Sequence, residues 1–489
     1  DCGTDLTLNY IVNAGTTVSW DGSGGPLEGS LETQAGGSLQ ITGAAELQGT
    51  VSNAGTLAVV TGAGASSLTL TTPLLNSGDF SVADNLPVTL QGGATLSGGS
   101  FTLGSSTLTL SGTLTQTGGT VIADTVTLQL ADRATLTSAT PLAFQSLMLD
   151  GNVLTLGSDL VLTDLLIVDD ADSSLNAGTA TLTLSGGLTL TAGSVGAEGG
   201  TVVLGSASTV GPSGRLVLMG SILELEANLA ATGTLGTNHN TTFTLNGNTL
   251  DLSGGRLEVS GALTLDGLTF DESSVLALNA DATITSAQPL TLKTVELGAH
   301  RLLLGSATTD LTISESLTLN YPGANGLNSG EADLTFNGPV SVLSSRIVSS
   351  GGIITFGAES TFSPEQNAGL ILQDSTLNLQ VPLAVPGLLS LTGDFDLQLN
   401  GNALDLSGGG LELGSDLDLT DLTTDNETDL KLTGDVTLTS DVPVSLGLVL
   451  PNGFTLSLGS TEMELTARGL SNQEETTLNS ATTTVQLDP

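Results

Sequence analysis

The sequence predicts an all-β chain: a parallel β-helix, or β-solenoid, built from three super-repeats of about 150 residues. Three observations carry this. One block of sequence recurs three times, apolar residues alternate with polar ones in short pairs, and the turns between pairs come too soon for a sandwich.

The block Gly36-Gly37-Ser38-Leu39-Gln40-Ile41 returns as Gly199-Gly200-Thr201-Val202-Val203-Leu204 and again as Gly351-Gly352-Ile353-Ile354-Thr355-Phe356. Leu-Ser-Gly-Gly follows at 96–99, 252–255 and 406–409, and Thr-x-Thr-Ser-x-x-Pro at 135–141, 283–289 and 437–443. The second and third copies are offset by 152 to 154 residues, the first and second by 148 to 163, so insertions and deletions separate that first pair. The expected segments are an N-terminal strand-rich cap or docking segment (1–35), super-repeats at 36–181, 182–335 and 336–470, and a C-terminal strand-like docking segment (471–489).

Within a repeat, apolar residues pair at a spacing of two: Leu250 and Leu252, Leu257 and Val259, Leu263 and Leu265, Leu268 and Phe270, Leu276 and Leu278. That is the period of a strand with one buried face. The third copy repeats it with Leu404, Leu406, Leu411, Leu413, Leu417 and Leu419. Thr, Ser, Asp and Glu fill the outward positions, and turns such as Asn246-Gly247-Asn248 and Ser253-Gly254-Gly255 supply residues that tolerate positive φ. Pairs follow one another at five to eight residues, tighter than the roughly 8–12 of an immunoglobulin-like sandwich. Three strands then close a coil of about 20 residues, each stacked ~4.8 Å from the last, giving about 24 coils. The solenoid is expected over roughly residues 20–470, with almost no helix. Tandem sandwich domains are the alternative arrangement.

The rhythm of Gly37-Ser38-Leu39-Gln40-Ile41 and Ala54-Gly55-Thr56-Leu57-Ala58-Val59 resembles the parallel β-helix of filamentous haemagglutinins and autotransporter passenger regions. The likeness covers most of the chain. It implies a right-handed β-helix at the cell exterior. No C-terminal membrane-barrel segment and no haemagglutinin-type secretion domain is recognisable, so export route and adhesive role do not carry over.

Composition narrows the function. Hydrophobic residues make up 39% and charged residues 12%, which excludes a disordered chain in spite of the net charge of −42. Aromatics are 3%, so the interior must be filled by uniform aliphatic layers. Eight basic residues against 50 acidic ones argue against nucleic acid and anionic lipid as partners. The single cysteine, Cys2, excludes an internal disulfide framework. No apolar run is long enough to span a bilayer as a helix, so direct membrane insertion is not expected. The chain opens at Asp1 without a basic-apolar leader, which reads as a mature secreted polypeptide, extracellular or at the cell surface.

Catalytic chemistry is sparse. His239, His300, two Lys and six Arg are the only basic groups, and the adjacent His300 and Arg301 are replaced by Asn152-Val153 and Phe454-Thr455 in the other copies. A non-enzymatic protein without a cofactor is expected, with a polysaccharide-active enzyme as a competing reading. Asp416, Asp418 and Asp421, in the densest acidic stretch, are candidate Ca²⁺ ligands because hard oxygen donors suit that ion. The bland reading is an outward strand face, and the tandem Gly-Gly-x-Gly-x-Asp calcium repeat is missing. Thr-x-Thr pairs such as Thr107 and Thr109 suggest an ice-binding face, but the matched pair recurs once per super-repeat rather than once per coil. Asn240-Thr241-Thr242 and Asn426-Glu427-Thr428 match the glycosylation acceptor pattern at a frequency near chance.

The ends remain. Tyr10 and Trp20 place aromatic area where the chain otherwise lacks it, and neither end offers an amphipathic capping helix or a charge-blunted edge. Leu6, Leu8, Tyr10, Val12, Val18 and Trp20 at one end, with Val485 and Leu487 at the other, are the candidate subunit-interface residues. The expected function is a structural surface protein joining copies of itself head to tail into an extracellular filament. A monomeric adhesin that binds surface glycans or receptors is the alternative.

Overall fold

The computed structural model describes residues 9–62, 64, 66–320, 325–365, 367–459, 464–471, 477–480 and 484–487. The chain divides into two compact units, Asp1–Asp251 and Leu252–Pro489. Each is all-β among its described residues, with strands stacked in parallel as a β-solenoid; the two contain about 21 turns between them. This is fewer than the about 24 that length alone gives. Long coils, such as the one from Leu302 to Leu327, absorb part of the difference.

In the first unit three faces are built in rotation. One face is the six-stranded sheet of Thr17–Trp20, Ser38–Ile41, Thr56–Val59, Asp79–Val82, Ser100–Leu103 and Thr120–Ile122. A second stacks Ala44–Leu47, Ser67–Leu70 and Val88–Leu90, and a third stacks Ser30–Thr33, Val51–Asn53, Leu74–Asn76 and Ala94–Leu96. Further along, Leu142–Phe144 opens another six-stranded sheet that ends at Thr242–Thr244. Some strands run through a corner: Thr107–Gln116 pairs with Thr127–Ser138 along its length, with the register shifting between Leu110 and Gly112.

The second unit repeats the scheme. Arg346–Ser350, Gly369–Gln373, Leu388–Thr392, Gly410–Leu413 and Asp429–Leu432 form one parallel stack, and Ile353–Phe356, Thr376–Leu379 and Asp396–Gln398 another. Every described strand pairing in both units is parallel, which excludes antiparallel sandwiches.

Alternation sets the core. In Thr181–Leu184 the two Leu residues are buried and the two Thr residues lie between core and solvent, the pattern of most strands. Leu250, Leu252, Leu257, Val259, Leu263 and Leu265 are buried, as are Leu404, Leu406, Leu411, Leu413, Leu417 and Leu419. Leu268 and Phe270 depart from expectation and are only half-buried, because the strand here is just Leu268–Thr269 and Phe270 falls beyond its end. The few aromatics stack along the coil direction: Phe80 lies over Phe101 at 4.8 Å between centroids and 12° between planes. Asn53 and Asn76 form a buried rung of their own, with Asn53 Nδ2 donating to Asn76 Oδ1 at 2.7 Å.

Corners need left-handed backbone, and the repeat supplies it at matching places. Asn246 and Gly247 have φ of 52° and 82°, and their third-copy counterparts Asn400 and Gly401 have 53° and 78°. In both, the Asn two residues on from the first donates its N–H back across the turn, Asn248 to Leu245 and Asn402 to Leu399.

Since each buried leucine touches layers above and below, Leu257→Ala or Leu411→Ala is expected to cost ~2–5 kcal/mol. The outward Thr89→Ala is expected to stay within about 0.5 kcal/mol. Urea unfolding of the purified variants measures both.

Candidate functional site

Residues 9–33 are built as a coil of the same kind as those that follow. Asn9–Val12 pairs in parallel with Ser30–Thr33, and Thr17–Trp20 with Ser38–Ile41. Among the described residues each of these two leading strands has that one neighbour. The Gln34 N–H donates to the Val12 carbonyl and the Thr42 N–H to the Trp20 carbonyl, both at 2.9 Å. In a strand the N–H and C=O of one residue point to the same side, and the side alternates along the chain. Tyr10 and Val12, and likewise Val18 and Trp20, therefore turn their main-chain groups to the paired strand. Those of Asn9, Ile11, Thr17 and Ser19 face away from it, toward the edge that has no partner among the described residues.

Beside that edge lies a cleft of about 440 Å³ lined by Tyr10, Ile11, Val18 and Trp20, with Gly24, Gly25, Pro26 and Leu27 as its wall. Tyr10 is 40% exposed and Val18 42%, while Val12 is buried in the coil interior and Trp20 is half-buried. Ile11 and the Gly24–Leu27 wall were not among the candidates read from sequence; Ile11 carries the wrong parity for a core position, and the wall has no apolar pattern. At the other end, Val485 and Leu487 lie on the strand Thr484–Leu487, whose backbone pairs in parallel with Glu464–Leu470. Thr477–Ser480 pairs with Thr455–Leu458. Leu6 and Leu8, with Cys2, lie outside the described residues.

The carboxylates act mostly between coils. Asp84 Oδ1 accepts from Ser105 N at 3.0 Å, Asp159 from Thr181 N at 2.8 Å, Asp281 from Arg301 N at 2.9 Å, Asp333 from Ile353 N at 2.7 Å and Asp435 from Thr455 N at 2.7 Å. Each bracket reaches a residue one coil on. Asp271 and Asp425, equivalent positions in two super-repeats, form a fuller version that reaches back instead. Asp271 Oδ1 accepts from Gly254 N, Ser273 N and the Ser274 hydroxyl. Asp425 does the same with Gly408 N, Glu427 N and the Thr428 hydroxyl. The buried Ser274 and Thr428 hydroxyls also lie within hydrogen-bonding distance of the Leu252 and Leu406 carbonyls, tying the Leu-Ser-Gly-Gly corner to the coil after it. The Ser273 hydroxyl, with these N–H groups, pulls Asp271 down to about 2. At Asp425 burial works upward, but the Gly408 N–H and Thr428 hydroxyl outweigh it and leave the carboxyl below its ordinary range.

Asp416, Asp418 and Asp421 border one shallow depression with Asp396. Asp416 accepts from Thr437 N at 2.6 Å, and Asp418 accepts from the N–H and hydroxyl of Thr420. Among the described residues no three His, Cys, Asp or Glu side chains are grouped to hold a metal ion.

Seven of the eight basic residues sit on strands; Arg301 does not. Arg256 bridges Glu258 at 3.2 Å and Glu296 at 2.8 Å, Lys431 meets Glu412 at 2.7 Å, and Arg301 and His300 both lie near Asp281. These are surface pairs spread over separate coils. Threonines align more than the sequence reading allowed: Thr69, Thr89 and Thr109 stack in register before Gln129 ends the column. With this geometry in hand, comparison with known proteins adds no relative: no family, no curated protein and no solved structure matches the chain.

The Asp271 bracket has a definite pH dependence. Its folded-state value lies below the ordinary 3.8, so its contribution is complete above that value and fades as pH falls toward 2. Asp271→Asn is expected to lower stability at pH 7 by about 1 kcal/mol once solvent screening is allowed for. Urea unfolding at pH 7 and at about pH 2.5 checks it, with the gap between variant and parent narrowing at the lower pH.

Proposed function

We propose that this chain is a secreted structural surface protein whose copies join end to end into an extracellular filament. The observation that carries the reading is the edge of the coil at 9–33, unpaired among the described residues, where Asn9, Ile11, Thr17 and Ser19 hold outward-facing main-chain groups beside the Tyr10–Trp20 cleft. An edge of this kind is a template for one more parallel strand. Thr484–Leu487, paired on one side among the described residues, offers the matching half of the same parallel bond pattern. A contact between two unlike edges is heterologous, and one that does not close on itself propagates. The net charge of −42 opposes side-by-side bundling while leaving the edge contact open. The β-solenoid agrees with the class that includes filamentous haemagglutinins and autotransporter passenger regions, which supports placing the protein outside the cell. Its surface ion pairs are dispersed, which supports a role without catalysis.

Ile11→Pro tests the reading with little disturbance to the coil, since the lost N–H faces the open edge and proline is tolerated on edge strands. Tyr10→Lys charges the cleft by a separate route. Electron microscopy and light scattering at moderate salt are expected to show filaments for the full chain and single subunits for both variants, with thermal midpoints within a few degrees of the parent. A full chain that stays monomeric at high concentration, or variants that assemble like the parent, would replace the filament with the monomeric adhesin.

A further inference from the structure

In the second unit a groove of about 460 Å³ crosses the stack of Arg346–Ser350, Gly369–Gln373, Leu388–Thr392, Gly410–Leu413 and Asp429–Leu432. From Arg346 to Asp429 it spans four coil steps, about 19 Å at the usual strand spacing. Two features of it are not explained by folding.

The first is Gly410, on its floor. Its φ is not in the left-handed region, and an added Cβ would meet nothing nearer than Leu388 Cδ1 at 3.7 Å, an ordinary contact. The equivalent residues after the other Leu-Ser-Gly-Gly signatures are Ser100 and Arg256, so the fold accepts a side chain here. In the second copy Arg256 fills the place and pairs with Glu258. In the third, Glu412, the counterpart of Glu258, takes Lys431 instead, and the floor is left bare.

The second is Arg346, at the groove's head. It is half-buried, and among the described residues its side chain has no hydrogen-bond or ion-pair partner. In a chain with 50 acidic side chains a partner is easily found, so a guanidinium in a groove that none of the described carboxylates engages is available to a ligand. Glu427 stands at the opposite end, beside Asp429, whose carboxylate already accepts the Leu448 N–H and meets Arg468.

We propose that this groove binds an extended, neutral oligosaccharide, with Arg346 donating to ring hydroxyls and Glu427 accepting from them, and with a ring face lying on the bare Gly410 floor. A donor at one end of the groove and an acceptor at the other suit an extended, hydroxyl-rich ligand that runs between them, and glycine lets it approach the backbone. A peptide strand is disfavoured, because every strand under the groove between Arg346–Ser350 and Asp429–Leu432 is already paired on both sides and offers no edge. An acidic ligand is disfavoured because three carboxylates, Glu412, Glu427 and Asp429, outnumber Arg346 and Lys431 in the lining, and by the charge of the whole chain. The site is independent of filament assembly.

An oligosaccharide array carrying neutral, sialylated and uronate chains, probed with the purified full chain, tests the proposal. Gly410→Arg restores the second copy's residue and fills the floor, and Arg346→Gln removes the charge while keeping donors. Binding to neutral chains is expected, weakened at least tenfold in both variants, with thermal midpoints and filament formation unchanged. No binding, binding confined to the acidic chains, or binding undiminished by Gly410→Arg overturns it.

Discussion

Every feature of this protein depends on the parallel main-chain ladder, in which a residue finds its partner 18 to 25 positions further on. Once that ladder is fixed, a side chain's surroundings are set by parity and by the coils on either side. Leucine over leucine gives a core of repeated thin layers, and several of the rare aromatics meet their like, as Phe80 meets Phe101 and Phe336 meets Phe356. The same rule makes the outside of the molecule a set of columns, in which threonines and opposite charges line up across coils rather than along the chain. Among the described residues the strands Asn9–Val12 and Thr17–Trp20 are paired on one side, and the apolar cleft lies beside them.

How much of this the sequence discloses follows from distance along the chain. Core positions such as Leu257 and Leu411 were legible because alternation is local and the super-repeat shows it twice. Leu268 and Phe270 misled because they keep the period of two where only a two-residue strand forms. The inter-coil brackets were hidden, since Asp159 and Thr181, or Asp435 and Thr455, become neighbours only when coil length is known, and that length varies. The threonine column of Thr69, Thr89 and Thr109 was missed for the same reason. Gly410 follows Gly408 and Gly409 in the sequence and differs from both in three dimensions: Gly408 has left-handed backbone and a Cβ on Gly409 would meet main-chain oxygens at 2.7 and 2.8 Å, whereas at Gly410 it would meet only Leu388 Cδ1 at 3.7 Å. At the first coil Tyr10 and Trp20 were picked out by residue type, whereas Ile11 owes its place to the direction of its N–H.

The acidity of the chain takes on a structural meaning. Carboxylates at the corners accept main-chain N–H groups from an adjacent coil, satisfying donors that a short strand leaves over. Aspartate suits this because its side chain is short and holds one oxygen near its own backbone, and Asp271 and Asp425 show the arrangement kept in two copies of the repeat. The negative charge is thus in part a by-product of how coils are fastened, and the repulsion it creates between molecules comes with the fastening.

The placement of the basic residues has a consequence for the protein's persistence. A protease that cuts after lysine or arginine must draw several residues of extended chain into its own cleft. Seven of the eight such residues here lie within strands, where the segment is already committed to its neighbours. Arg301, between a turn and the strand Leu302–Leu304, is the one basic residue outside a strand. Digestion of the native chain by trypsin-like enzymes is therefore governed by how often coils open rather than by how many cleavable bonds the sequence contains.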